Sequence, residues 1–158
     1  MFSQSDNDLL TIKSNVEKVN LQSKNDQISI LKNEVSDTLK NSEIAVFTDN
    51  SNKITLIRET YFNETGKTVI WNYIKNDEAY FIFKEYFTYK FSKNDNQYNA
   101  GKFTKTEEGF YLKNNRVIRW MQGKKVITKY PKNAASIENN MIMHVEDMIN
   151  RFNRQDKR

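Results

Sequence analysis

At Ile44 the spacing of apolar residues changes from three and four to two, and this switch constrains the fold more than any other feature of the chain. Residues two apart point to the same side of a strand, whereas residues three and four apart share one face of a helix. Upstream of the switch, Leu9, Ile12, Val16 and Val19 recur at helical spacing, with Ser5 or Asp6 placed to cap the first turn. Ser23-Lys24-Asn25-Asp26 interrupts the stripe and Ile28, Leu31, Val35 and Leu39 resume it. Residues 5–40 are therefore expected to form one bent helix or two helices, the polar break favouring two.

Downstream, residues 44–48, 53–62, 67–75 and 80–91 read as strands, rich in β-branched and aromatic side chains. They are separated by Asp49-Asn50-Ser51-Asn52, by Asn63-Glu64-Thr65-Gly66 and by Asn76-Asp77. Gly66 is expected in the left-handed conformation of its turn. Turns this short join antiparallel neighbours. Residues 92–107 are polar and read as a long exposed loop, after which 110–113 and 116–121 form a hairpin about Asn114-Asn115. Gln122-Gly123-Lys124-Lys125 turns toward a last strand at 126–129, and Pro131 precedes a final helix over 134–153. In that helix Ile137, Met141, Val145, Met148 and Phe152 form a clean apolar stripe, with Ser136 as its cap. The expected fold class is α+β: one domain, an antiparallel β-meander of about six strands over 44–130 between an N-terminal helical segment and a C-terminal amphipathic helix.

Composition sets the limits of that domain. A chain of 158 residues forms a single core burying roughly 70% of the unfolded surface. Only 37% of the residues are apolar, but 13% are aromatic, and rings bury large areas each. Without cysteine there is no disulfide, no thiolate nucleophile and no cysteine-ligated metal. No apolar run reaches the roughly 18 to 20 residues that span a bilayer, so the chain is expected not to be membrane-spanning. Phe2-Ser3-Gln4 after Met1 is similar to the end of bacterial signal peptides, from which a periplasmic or secreted location is expected; the alternative is a native Met1 and a cytoplasmic chain.

Tyr73-Ile74-Lys75-Asn76-Asp77 is echoed by Tyr111-Leu112-Lys113-Asn114-Asn115, with a looser copy over 47–57. This is one strand-turn-strand unit used again. Around it, residues 56–67 (Leu56-Ile57-Arg58-Glu59-Thr60-Tyr61-Phe62-Asn63-Glu64-Thr65-Gly66-Lys67), Tyr80-Phe81-Ile82-Phe83 and 110–120 (from Phe110-Tyr111-Leu112-Lys113 to Arg119-Trp120) carry a resemblance. The chain resembles a loosely defined group of small exported proteins of Bacteroidetes-type bacteria, in which a short helical segment precedes aromatic hairpins. The resemblance covers about half the chain and implies export and a hairpin sheet. It carries over no site, and members of the group carry Gly where this chain has Asp77 and Asn115.

Catalytic signatures are not found. Four glycines leave little material for a phosphate loop, and there is no nucleophile elbow. Glu107-Glu108 and Glu146-Asp147 are sequence neighbours that point apart, unlike paired acid and base groups. His144 lies beside Met141, Met143 and Met148, a set able in principle to hold a cuprous ion, but Met141 and Met148 fall on the core stripe as ordinary fillers. Glu59 and Glu85 stand inside apolar strands and are expected to pair across strands with neighbours such as Arg58 or Lys84. The expectation is no enzyme, no cofactor and no metal.

Surfaces are more informative. Paired by turn length, one sheet face would carry Phe47, Ile54, Leu56, Val69, Trp71, Tyr73, Tyr80, Ile82 and Tyr86, and the other Val46, Ile57, Tyr61, Ile70, Ile74, Phe81, Phe83 and Phe87. Neither face is polar, so both need cover, and the part left bare is expected to serve as a homodimer contact or a binding surface. Positive charge concentrates between Lys102 and Lys132, opposed by Glu107 and Glu108. Trp71, Tyr73, Tyr80, Tyr86, Lys113, Arg116, Arg119, Trp120, Lys124 and Lys125 are the candidate binding residues, with Arg116, Arg119, Lys124 and Lys125 expected to be exposed together near Trp120. The expected function is a non-catalytic binding or structural module of the bacterial envelope contacting a protein or an acidic polymer, nucleic acid being disfavoured by export. The alternative is a carrier holding an apolar small molecule between sheet and helices.

Overall fold

The computed structural model describes residues 6–22, 27–31 and 42–156. Helix α1 (Asp6–Gln22) is followed by strands β1 (Gln27–Leu31), β2 (Ser42–Thr48), β3 (Ile54–Asn63), β4 (Gly66–Lys75), β5 (Glu78–Ser92), β6 (Gln97–Lys113), β7 (Arg116–Gln122) and β8 (Lys125–Val126), then helix α2 (Ala134–Asp156). The strands form one antiparallel sheet in sequence order, the α+β meander that the period switch predicts. Asn76 and Asp77 take φ of 53° and 62°, and Asn114 and Asn115 of 50° and 59°, so both two-residue turns are built from side chains that tolerate the left-handed region.

Each helix covers one side of the sheet. On one side Ile44, Val46, Ile57, Ile74, Ile82, Phe110 and Leu112 pack beneath Met141, Val145, Met148, Ile149 and Phe152 of α2. On the other, Val19 meets Ala45, Phe47, Leu56 and Tyr73, while Leu9 and Ile12 meet Ile118. Asp6 and Asp8 sit in the first turn of α1, where carboxylates favour the helix dipole.

Several expectations are corrected. The sheet has eight strands rather than about six. Residues 27–31, expected to be helical, pair with β2 with Ile28 opposite Phe47 and Ile30 opposite Ala45. Ile28 and Ile30 also alternate at period two, and pairing along β2 outweighs the helical reading of a short apolar run. Val35 and Leu39, the rest of that expected helix, lie outside the described residues. The expected loop 92–107 is mostly strand: β5 turns at residues 93–96 and returns as β6, with Ser92 opposite Gln97. Its polar composition misled because a two-stranded ribbon with solvent on its sides needs no apolar alternation. The last strand is only Lys125–Val126, and α2 begins at Ala134, which places Ser136 inside its first turn.

Gly66 does not take a positive φ. Its requirement is space, since a Cβ there would stand 2.0 Å from the carbonyl oxygen of Phe87. The assignment of side chains to faces fails along β5. Tyr73 pairs with Phe81 but Ile74 pairs with Ala79, leaving Tyr80 as an extra residue. Tyr80 and Phe81 then both pack toward α1 and Ile82 turns to α2, inverting the alternation expected for Ile82, Tyr86, Phe81, Phe83 and Phe87. A second bulge at Thr55 sends Ile54 to the α2 side.

Candidate interaction surface

Strands β5 and β6 are the longest of the sheet, at 15 and 17 residues, and their neighbours stop short of them. On the outer side of β5, pairing with β4 ends at Gly66 opposite Thr88, extended by one bond from Tyr89 N to Thr65 O. On the outer side of β6, β7 ends with Gln122 opposite Glu108, and the turn adds Gly123 N to Glu107 O. Beyond these points no other described strand pairs with the two, and they continue as an arm. Phe91, Tyr98 and Phe103 are 49%, 38% and 45% exposed there.

The rings share one side of the arm, the side that α1 covers elsewhere. Phe87 and Phe103 meet edge to face at 5.1 Å, and Phe91 and Tyr98 likewise at 5.2 Å. The Lys67 ammonium lies 4.8 Å from the Phe87 ring. Lys105 bridges Glu85 and Glu107 at 3.4 and 3.0 Å, and both carboxylates push its pKa upward. Lys90, Lys93 and Lys102 are exposed on the same arm, opposed by Asp95. Aromatic contact and positive charge are thus combined in one uncovered element.

The candidate binding residues scatter. Trp71 donates from Nε1 to Glu85 at 2.8 Å, which corrects the partner expected for Glu85, with the Arg58 guanidinium over its ring. Tyr73 is buried and donates to Asn20 of α1; Tyr80 packs beside it, and burial pushes its phenol up to about 12. Tyr86 lies on the opposite side and donates to Glu108, which with burial raises its pKa. Lys113 pairs with Asp8 at 3.1 Å and Arg116 with Glu138 at 3.3 Å. Arg119 stands near Tyr111 and Tyr130, tending to lower the pKa of each against burial.

Trp120, expected at the surface, is 7% exposed, donates to Glu108 and stacks on Tyr130 at 5.9 Å. Lys124 and Lys125 are exposed but sit at the far end of β7 from Arg116, about 20 Å away for a strand of seven residues. The basic cluster expected near Trp120 is therefore split between two sheet ends.

A buried polar centre lies on the α2 side. Glu59 is 0% exposed, and its Oε1 accepts from Tyr61 and from His144 Nε2 at 2.5 Å each, its Oε2 from Asn72 at 2.8 Å. Asn72 also donates to Ile57 O. The pairing expected with Arg58 or Lys84 is corrected: those side chains leave the same strands on other terms, Arg58 toward Glu43 and Lys84 over Phe110. Burial alone raises the Glu59 pKa, but the hydrogen bond and charge of His144, with Tyr61 and Asn72, outweigh it and leave the carboxyl below its ordinary value. The Glu59 hydrogen bond in turn raises His144 against the effect of its own burial. Met141 and Met148 are core fillers, while Met143 is exposed.

Small clefts lie beside the helices among the described residues. One of about 250 Å³ separates α1 from the turns at Asn76 and Asn114, and one of about 230 Å³ lies under the start of α2 against Trp120 and Tyr130. Both are below the roughly 300 to 1,000 Å³ of ordinary small-molecule sites. Among the described residues no helix is long and apolar enough to cross a membrane. Comparison with family models, curated proteins and solved structures finds no match.

Sequence reasoning missed the arm and the Glu59 centre. A signal for the arm existed: Phe87, Tyr89 and Phe91 keep strict alternation right up to the polar stretch, so the strand outruns its shorter neighbour β4. No local signal joins Glu59 to His144.

Proposed function

We propose that this chain is a non-catalytic binding module whose projecting β5–β6 arm contacts an acidic protein surface. One observation carries the reading: the aromatic rings and lysines of the arm are exposed together where the sheet has lost both its flanking strands. Exposed apolar surface of this kind has a cost that a soluble fold avoids unless the surface is used. Lysine supplies attraction to carboxylates and keeps copies of the arm apart. The rings pack on each other in two cross-strand pairs rather than standing singly, which suits them to protein side chains more than to successive stacked rings of a polymer. The exported location expected from the resemblance belongs to the same proposal; fractionation of the source cell tests it.

The test uses fluorescent poly-glutamate, with polygalacturonate as an acidic polymer that is not a protein. Poly-glutamate is expected to bind at low salt and to be released as salt screens charges over about 8 Å. The paired changes Phe91→Ala with Phe103→Ala, and Lys90→Glu with Lys102→Glu, should each weaken it about tenfold or more. Equal binding by these variants, or binding of polygalacturonate alone, overturns the reading.

A further inference from the structure

We propose that the acidic partner binds as an extended strand added to the outer edge of β6 over residues 103–107. This rests on the reading of the arm as the contact surface and gives its mode of recognition. The bond from Gly123 N to Glu107 O fixes which way the backbone of β6 faces at that point. Strand alternation then turns the N–H and C=O of Lys105 and Phe103 to the same outer side, where among the described residues no strand pairs with them. Such a row is a template for another strand.

The edge is also furnished for an occupant. A groove of about 800 Å³ opens where β7 ends, lined by Tyr86, Lys105, Glu107, Glu108 and Lys124. Its carboxylates are already engaged, Glu107 by Lys105 and Glu108 by Tyr86 and Trp120. In charge, Lys105 and Lys124 balance Glu107 and Glu108 within the groove, and Lys102 and Lys125 beside it, which have no carboxylate partner among the described residues, add the positive charge that attracts an acidic segment. Apolar side chains at every second position of the added strand would lie along Phe103 and Phe87, on the ring side of the arm.

A second copy is a poorer occupant than an acidic strand. Pairing this edge antiparallel with itself about its centre sets Lys105 opposite the Lys105 of the other copy. The register also jumps from Phe103 opposite Tyr89 to Asn99 opposite Lys90, so residues 100–102 bulge out and end the straight edge at Phe103.

The probe is an end-blocked eight-residue peptide alternating Glu and Val, compared with the same peptide N-methylated at alternate residues, using the isotope-labelled full chain. The unmodified peptide should slow hydrogen exchange at the amides of Phe103 and Lys105 about tenfold or more, with little change at Tyr89, whose N–H is already bonded to Thr65. N-methylation should abolish both protection and binding. If both peptides bind equally without protecting these amides, and Phe91→Ala with Phe103→Ala still weakens them, strand addition fails while the arm remains the contact surface. If neither peptide nor poly-glutamate binds at low salt, both readings fail. Protection that rises with protein concentration in the absence of peptide identifies a second copy as the occupant and overturns the acidic partner.

Discussion

Along β5, Ile82 is 1% exposed and Phe91 is 49% exposed, although both belong to the same run of large apolar residues. As far as Thr88 the strand lies between β4 and β6, with the helices packed on the sheet there; among the described strands its last residues, 90–92, have only β6 beside them. An aromatic residue is thus core or contact surface according to what reaches it, and local hydrophobicity alone does not separate the two. In the covered half the rings and aliphatic chains fill the core. In the arm Phe91 packs on Tyr98 and Phe103 on Phe87, across the hairpin itself.

The sharpest contrast is expected from truncating one residue in each half. Ile82→Ala should cost about 3 to 4 kcal/mol, within the range for a fully buried aliphatic side chain, read from denaturant midpoints. A cost below about 1 kcal/mol would mean that the covered half is no better packed than the arm.

The polar centre under α2 sharpens the same contrast, because among the described residues Glu59 is the one fully buried charge. His144→Ala should cost about 1.5 kcal/mol, the low end for a hydrogen bond to a charged group, since the imidazole is 47% exposed. The sign of the pH dependence follows from the two shifts. His144 is raised, so its contribution is complete below its ordinary value of 6.5 and is lost as pH rises through the folded value. Glu59 is lowered, so its contribution is complete above 4.5 and is lost as pH falls through its folded value. The difference in melting temperature between wild type and His144→Ala should therefore be largest between pH 4.5 and 6.5 and shrink toward alkaline pH. An unchanged difference at pH 8.5 and pH 5.5 would show that charge plays no part in the contact.

At the boundary between the halves stands Gly66. Gly66→Ala drives a Cβ against the Phe87 backbone and should cost about 1 kcal/mol or more, with faster hydrogen exchange at Thr88 and Tyr89, where β4 lets go of β5. The smallest effect belongs to the arm. Phe91→Ala should change stability by about 0.5 kcal/mol or less while weakening the acidic probe, the mark of a side chain exposed in the free protein. A loss of several kcal/mol there would make the arm structural.

The meander itself was legible in the sequence, because period two and short turns act over a few residues. The turns at Asn76-Asp77 and Asn114-Asn115, the stripe of α1 and the stripe of α2 were all readable for that reason. What only the tertiary structure decided depends on partners far along the chain. Pairing with β2 made residues 27–31 a strand, and pairing with β5 made residues 97–107 one. A single extra residue at Tyr80 chose which side of the sheet Ile82 and Phe83 face, a choice that alternation counts cannot see. Glu59 met His144 across 85 positions because a carboxylate shut inside the sheet needs a donor and α2 delivers one there. The sequence determined that aromatic strands would form; the uneven lengths of neighbouring strands decided which rings were left for something else to touch.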